Sequence, residues 1–276
     1  MILQDIPSKP GLSEFVRKYE VFRFVFENNV VPPPKYHVPR AEHCITFYVR
    51  DAQKFSFATL PHIIAYPQCI INGIHNVPIY RYGSHDFWAV KVILQPSALY
   101  LLTGIPSYEL TNTFIDAEAV WGKEVRHVCQ QLNSTDSLKE MLEHIEKFLE
   151  HIIKKSPQDW RPIDKVGTLI LQPNHGLSID KLADQSCLSR RQFFRKFEER
   201  IGVSPKMFDR INRFEKSFRT KNKHPDWDWL TIALACGYYD YQHLVKDYKD
   251  FTNLTPTAFY ETDRQAPERV FGIVET

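Results

Sequence analysis

A cation set between two apolar positions occurs twice in the last third of this chain, and its surroundings recur with it. Arg195 lies between Phe193 and Phe197, and Lys246 lies between Leu244 and Tyr248. Leu182-Ala183 precedes the first copy and Ile232-Ala233 the second; Ser204-Pro205 and Phe208 follow the first, Thr255-Pro256 and Phe259 the second. The copies are about 51 residues apart, and only the turn ahead of the second helix differs, by one residue. An arginine fork pairs with guanine O6 and N7, and an apolar side chain rests on a thymine methyl. Two small helical units, each offering such groups from one face, suit a rod that repeats every turn, as double-stranded DNA does.

Each copy reads as two helices joined by a tight turn. Ser178 caps a short helix over Ile179-Asp180-Lys181-Leu182-Ala183, Cys187-Leu188 makes the turn, and Ser189 caps a second helix from Arg190 to about Arg200. Gly202 closes that helix, and Ser204-Pro205 opens a long one reaching about Thr220, since proline is tolerated at a first helical position. In the second copy Asp228 caps, Gly237 ends the first helix, Asp240 caps Tyr241 to about Thr252, and Thr255-Pro256 starts a last short helix. Phe193, Phe197 and Ile201 share one face and belong to a core. Arg190, Arg191, Phe194 and Arg195 point elsewhere, so an exposed Phe194 would touch a thymine methyl while Arg191 or Arg195 pairs with guanine. A solvent-facing row of cations is the plain alternative for one helix; the repetition argues against it.

The formal charge of the whole chain is only +2, yet residues 190–223 hold 12 Lys/Arg against 4 Asp/Glu, whereas residues 1–159 hold 16 against 17. Concentration of positive charge on one helix pair is what a phosphate-binding surface requires. The helix from Tyr241 is nearly neutral, Asp247 and Asp250 offsetting Lys246 and Lys249, so Tyr241, Gln242 and His243 are expected to act there by hydrogen bonds.

Through LSIDKLADQSCLSRRQFFRKFEERIGVSPKMF and IALACGYYDYQHLVKDYKDFTNLTPTAF, the stretch of about residues 163–260 resembles the AraC/XylS family of bacterial transcription regulators. The resemblance implies two helix-turn-helix units joined by a long helix, here about Pro205 to Thr220, reading successive major-groove segments. By position it gives base-reading roles to Arg191, Phe194 and Arg195, and to Tyr241, Gln242, His243 and Lys246, with Arg190 beside them as a further DNA-binding residue. Gln242 stands where a small serine is usual and Asn253 where glycine is usual; asparagine tolerates the left-handed geometry of a helix end.

With 276 residues, two domains are expected. Residues 1–155 form a sensory or dimerisation domain (β-rich over 1–110, helical over 111–155), 156–162 a linker, 163–263 the DNA-binding domain, and 264–276 a tail. The fold class is α+β. Tyr19–Phe26, Cys44–Val49, His62–Tyr66, Ile70–Ile74, Val77–Tyr82 and Phe87–Leu94 read as strands of a small barrel or sandwich, with Leu12–Lys18 as a leading helix. The stretch from Leu94 resembles the cupin-like N-terminal sensory domain of some AraC relatives, which names no ligand. Tyr36, Phe47, Tyr66, Tyr80, Tyr82 and Trp88 either line a small-molecule pocket or fill the core. Leu138, Met141, Leu142, Ile145, Phe148, Leu149, Ile152 and Ile153 make one apolar stripe, for packing on the β domain or for a homodimer contact through the 138–153 helix.

Catalysis is not expected: there is no Ser-His-Asp, Walker or dinucleotide motif, and the alkyl-transfer repair enzymes that share the C-terminal module need a four-cysteine zinc cluster that is not present. Five histidines before residue 90 (37, 43, 62, 75 and 85) lack a His-x-His followed by a nearby Glu, and five cysteines (44, 69, 129, 187 and 236) lack zinc spacing. No metal and no cofactor are expected, and the thiols read as buried and reduced. Neither a membrane-length apolar run nor a secretion pattern occurs, so the expected place is the cytoplasm. Expected partners are double-stranded DNA, a small-molecule effector and RNA polymerase. A DNA-binding protein whose N-terminal half serves assembly alone remains the competing reading.

Overall fold

The computed structural model describes residues 2–27, 30–51, 53–58, 60–157, 159–172 and 177–272. Gln158 of the expected linker and residues 273–276 of the expected tail lie outside them. The N-terminal half is built from ten strands: β1 (Ile2–Pro7), β2 (Val16–Val25), β3 (Lys35–His37), β4 (Cys44–Tyr48), β5 (Lys54–Phe57), β6 (Leu60–Ala65), β7 (Cys69–Asn72), β8 (Ile79–Tyr82), β9 (Asp86–Leu94) and β10 (Phe114–Asp116). They form two antiparallel sheets, one in the order β1-β2-β9-β4-β7-β10 and one in the order β3-β8-β5-β6. Helices α1 (Ala98–Thr103), α2 (Ala117–Trp121), α3 (Lys123–Asn133) and α4 (Leu138–Lys155) follow.

Alternation along the strands gives the larger sheet two buried faces. Tyr19 and Val21 of β2, Ile45 and Phe47 of β4, Cys69 and Ile71 of β7, and Trp88, Val90 and Val92 of β9 pack against the helices. The residues between them face the second sheet, where Tyr48, Ile70 and Ala89 meet Phe55, Tyr66 and Ile79. Lys91 and Glu20 also lie on that inner side. Burial alone would push the Glu20 carboxyl up, but Lys91, Arg40 and Lys18 around it hold it well below the usual carboxylate range.

Leu12–Lys18 is not a helix. Leu12, Phe15, Val16 and Tyr19 have helical spacing, yet the chain makes one 3-10 turn (Pro10–Leu12) and enters β2 at Val16. A bulge between Val16 and Lys18 resets the register, so Val16 and Tyr19 reach the same face. Pairing with β1 on one side and β9 on the other outweighs the local pattern. The apolar stripe of α4 is intramolecular: Met141, Ile145, Phe148, Leu149 and Ile152 are buried in the N-terminal core, and Leu138, Leu142 and Ile153 pack against it. Lys139, Glu143, Lys147, Glu150 and His151 make its outer face, with Leu138, Leu142 and Ile153 half-buried at its border.

The helical domain holds α5 (Val166–Leu171), α6 (Ile179–Gln185), α7 (Arg190–Ile201), α8 (Pro205–Lys223), α9 (Trp229–Ala235), α10 (Tyr241–Thr252), α11 (Pro256–Asp263) and α12 (Pro267–Val270), preceded by a 3-10 turn at Pro162–Lys165. Its core includes Val38, Ala41 and Ile74 from the N-terminal half. Close approaches seal the seam. A Cβ on Gly167 would lie 2.4 Å from Pro96 Cβ, and Ser107 Oγ donates to the Arg200 carbonyl at 2.9 Å. The tail does not stand free: the Phe271 ring stacks 5.7 Å from that of Phe24, and Glu268 pairs with Lys35 of β3 at 2.5 Å.

His43 sits on this seam, its Nδ1 within 2.9 Å of the Pro96 carbonyl, and burial pushes its pKa from 6.5 to about 4. The folded state therefore keeps the ring neutral while the unfolded chain takes a proton, so stability is present above pH 6.5 and falls as pH drops towards 4. Between pH 7 and pH 5 this ring alone is expected to remove roughly 2 kcal/mol. Thermal melts at the two pH values should show a loss, and His43→Gln should reduce it by that amount, while His37 and His75, also held neutral by burial, keep their share.

Candidate nucleic-acid interface

Each helix-turn-helix unit is held by local chemistry that the two copies share. Ser178 and Asp228 cap their first helices, accepting from the Lys181 amide at 3.3 Å and the Thr231 amide at 2.7 Å. Ser189 and Gln192 form a capping box on α7, and Asp240 accepts from the His243 amide at 2.9 Å on α10. That amide holds the Asp240 carboxyl below its usual range. Ser204 and Thr255, each followed by proline at the first helical position, open α8 and α11. The turns close alike, the Leu188 amide donating to the Ala183 carbonyl at 3.2 Å and the Tyr238 amide to the Ala233 carbonyl at 3.0 Å.

On α7, Phe193, Phe197 and Ile201 are wholly buried, and Arg190, Arg191 and Arg195 are exposed. Arg190 leans towards Asp180 at 3.6 Å. Arg191 and Arg195 have no ion-pair partner among the described residues. Phe194 is not the exposed ring expected from face arithmetic; it is half-buried, its ring edge-on to Phe193 at 6.1 Å, where α7 borders the core. On α10, Leu244, Tyr248 and Phe251 are buried, Tyr241 is half-buried against the core, and Gln242, His243 and Lys246 are exposed.

Asp247 and Asp250 do not offset Lys246 and Lys249. Both carboxylates turn to Arg210 of α8, which donates through Nε and Nη2 to Asp247 at 2.9 and 2.7 Å and through Nη2 to Asp250 at 2.5 Å. The basic excess of residues 190–223 is trimmed in the same way. Arg200 is buried on Asp164, Lys196 pairs with Glu199, Arg213 with Asp209, Arg219 with Glu215, and Lys221 donates to the carbonyls of Pro225 and Trp227. Arg191, Arg195, Lys206, Lys216 and Lys223 remain without an ion pair among the described residues.

Residues 182–262 match a family profile described as a helix-turn-helix domain. That span runs from α6 to α11 of the helical domain. Over 104 residues the chain is 30% identical to the HTH-type transcriptional regulator MtrA of Neisseria gonorrhoeae, covering 38% of this chain and 34% of MtrA. Over 115 residues it is 29% identical to an uncharacterised HTH-type transcriptional regulator of Haemophilus influenzae, covering 41% and 38%. The matched stretches thus span little more than a third of either relative. A crystal structure of ToxT from Vibrio cholerae O395 is 15% identical, with a TM-score of 0.47 over 91% of this chain and 98% of that one.

A second feature was not anticipated. Between the two sheets lies a cavity of about 70 Å³ walled by Phe22, Phe24, Phe26, Tyr48 and Phe87, with Lys35, His37, Arg40, Arg81, Lys91 and Glu268 among its polar lining. Of the six aromatics weighed between pocket and core, only Tyr48's neighbours and not the six themselves line it. Phe47 and Trp88 fill the helix-side core, Tyr66 the inter-sheet core, and Tyr36 donates to the Thr252 carbonyl at 2.7 Å. The phenylalanines at every second position from 22 to 26 were the available signal. Among the described residues no three His, Cys, Asp or Glu side chains gather as a metal site. Four cysteines are buried, but Cys187 is exposed.

Cys187 adopts φ +55° in the first turn, where the second unit has Gly237 at φ +82°. A side chain in that region costs about 1–2 kcal/mol, partly offset by the greater chain entropy of glycine. Cys187→Gly is therefore expected to stabilise the protein by about 0.5–1 kcal/mol, and Cys187→Val to destabilise it, both read by thermal or urea melting.

Proposed function

We propose that this chain is a one-component transcription regulator: α7 and α10 enter successive major-groove segments of double-stranded DNA, and residues 1–155 sense an effector. The observation that carries the reading is the pair of side-chain-capped helices, each burying its apolar face and leaving Arg191 and Arg195, or Lys246, exposed and unmatched. Base contacts fall to Arg190, Arg191 and Arg195, to the open edge of Phe194, and to Tyr241, Gln242, His243 and Lys246. Residues 156–162 connect the two parts, and RNA polymerase and a second copy are the remaining partners of a regulator. A self-contact along 138–153 would use the charged outer face of α4 with Leu138, Leu142 and Ile153 at its border. Nothing in this reading requires catalysis, and the cytoplasm is where such a protein acts.

The cavity is the candidate effector site. Lys35 faces Glu268, while Lys91 and Arg40 face Glu42 and Glu20. Arg81 has no carboxylate partner among the described residues. Aromatic walls around an unmatched guanidinium suit a ligand with an apolar body and an acidic group. At about 70 Å³ the space holds a few waters, far below the ~300–1,000 Å³ of small-molecule sites, so binding needs a wall to move. Pro267 and Glu268, from the C-terminal segment, form one wall that lies outside both sheets.

Arg195→Ala is expected to cost about 1–3 kcal/mol of specific binding and to relax preference at one base pair. Lys246→Ala should relax preference at one base pair of the second segment, at a smaller cost than Arg195→Ala. Duplexes selected from a random pool by the full chain, titrated at several salt concentrations, check both; unchanged affinity in the two variants contradicts the reading. A panel of aliphatic and aromatic carboxylates should contain members that raise the melting temperature of the wild type and leave Arg81→Gln unmoved.

A further inference from the structure

The one residue by which the two turns differ is Tyr239. In both units the carbonyl of the alanine in the first helix accepts from an amide five residues on, Leu188 in the first and Tyr238 in the second. From there the first unit reaches its capping Ser189 in one step, and the second reaches Asp240 in two. Tyr239 fills the extra step. It is 87% exposed, more than any other large apolar residue described in the helical domain, while its neighbour Tyr238 is buried. Its ring stands edge-on to exposed His243 at 6.1 Å, beside the first turn of α10. A phenol ring left in water at that place makes no contribution to the core.

We propose that Tyr239 is a DNA-backbone contact belonging to the second unit alone, its hydroxyl donating to a phosphate at the edge of the groove that α10 enters. The inference rests on the DNA-binding reading of α7 and α10. Position favours phosphate over base, because a turn ahead of a groove-entering helix lies against the strand flanking the groove, while the helix itself meets base edges. Charge points the same way. The first unit sets Arg190, Arg191 and Arg195 on its recognition helix, while α10 has only Lys246 and Lys249 and gives its carboxylates to Arg210. A neutral hydroxyl donor on an anionic oxygen supplies register and affinity without another cation.

The experiment uses the full chain and duplexes it selects from a random pool, with wild type, Tyr239→Phe, Tyr239→Ala and Arg195→Ala titrated together. Both Tyr239 variants should keep the wild-type melting temperature, since the ring is exposed, and lose affinity about five- to tenfold. The loss should be alike for every sequence and leave the salt slope unchanged, because no charge is removed. Single phosphates of the second half-site are then replaced by neutral methylphosphonates. Wild type should lose affinity at one of them, where Tyr239→Phe loses nothing further. Wild-type affinity in Tyr239→Phe overturns the hydroxyl contact, even if Tyr239→Ala is weakened. Failure to enrich any duplex overturns the DNA-binding reading itself, a result distinct from enrichment that Tyr239 does not influence.

Discussion

The buried ion pair between Arg200 and Asp164 is the constraint on which the arrangement of this molecule turns. The guanidinium donates to both carboxylate oxygens at 2.6 and 2.7 Å, with side-chain exposures of 3% and 0%. Tyr100 of α1 lies 4.7 Å from the guanidinium, its hydroxyl donating to Glu199, and Ser107 donates to the carbonyl of Arg200. One arginine thus joins three pieces: the C-terminal end of α7, the 3-10 turn after the linker, and the N-terminal half. Removing either partner leaves a buried charge uncompensated, at a cost of about 3–5 kcal/mol. Gly202 completes the joint, at φ +93° with the Ser107 carbonyl 2.8 Å from where a Cβ would be, and its own carbonyl accepts from Thr111 at 2.7 Å. The first recognition helix cannot shift along its axis without disturbing the body that carries the cavity.

The second unit has a different anchor. Arg210 reaches from α8 to Asp247 and Asp250, and the Tyr248 hydroxyl meets Ser217 of α8 at 3.2 Å. α8 also touches the N-terminal half, through Glu215 on the Ala41 amide at 3.4 Å and Arg219 near Glu20 at 3.9 Å. The charged cluster inside the sheets is therefore continuous with the helix that carries both units. Much of the positive charge that marks this region in the sequence holds the helices together, and what faces outward is a smaller set centred on Arg191 and Arg195.

The tail closes a third link. Arg269 binds Asp263 and donates to Asn222 at 3.0 Å, while Glu268 and Phe271 reach the cavity rim at Lys35, Phe24 and Phe26. A segment of one short helix thereby connects the end of the helical domain to the mouth of the space between the sheets. Its pairing with a cavity cation makes the size of that space and the position of the tail interdependent.

The sequence by itself determined α6 to α11 of the helical domain, while α5 and α12 went unread. Ser189, Asp240, Ser204-Pro205 and Thr255-Pro256 set helix starts by bonds within four residues, and Phe193-Phe197 and Leu244-Tyr248 set the inward faces by helical period. Such signals are local, so no distant contact had to be known. The strands at Cys44–Tyr48 and Asp86–Leu94 were legible for the same reason. Leu12–Tyr19 was not: its spacing fits a helix, and only pairing with β1 and β9 makes it a strand. Tertiary structure alone decided which of twelve basic residues in 190–223 stay exposed, because Asp164 and Asp247 lie 36 and 37 residues from their partners. It also decided that Phe194 tucks against the core and that Phe22, Phe24 and Phe26 face a cavity. Charge and apolarity are properties of a residue, but a partner 36 residues away is a property of the fold.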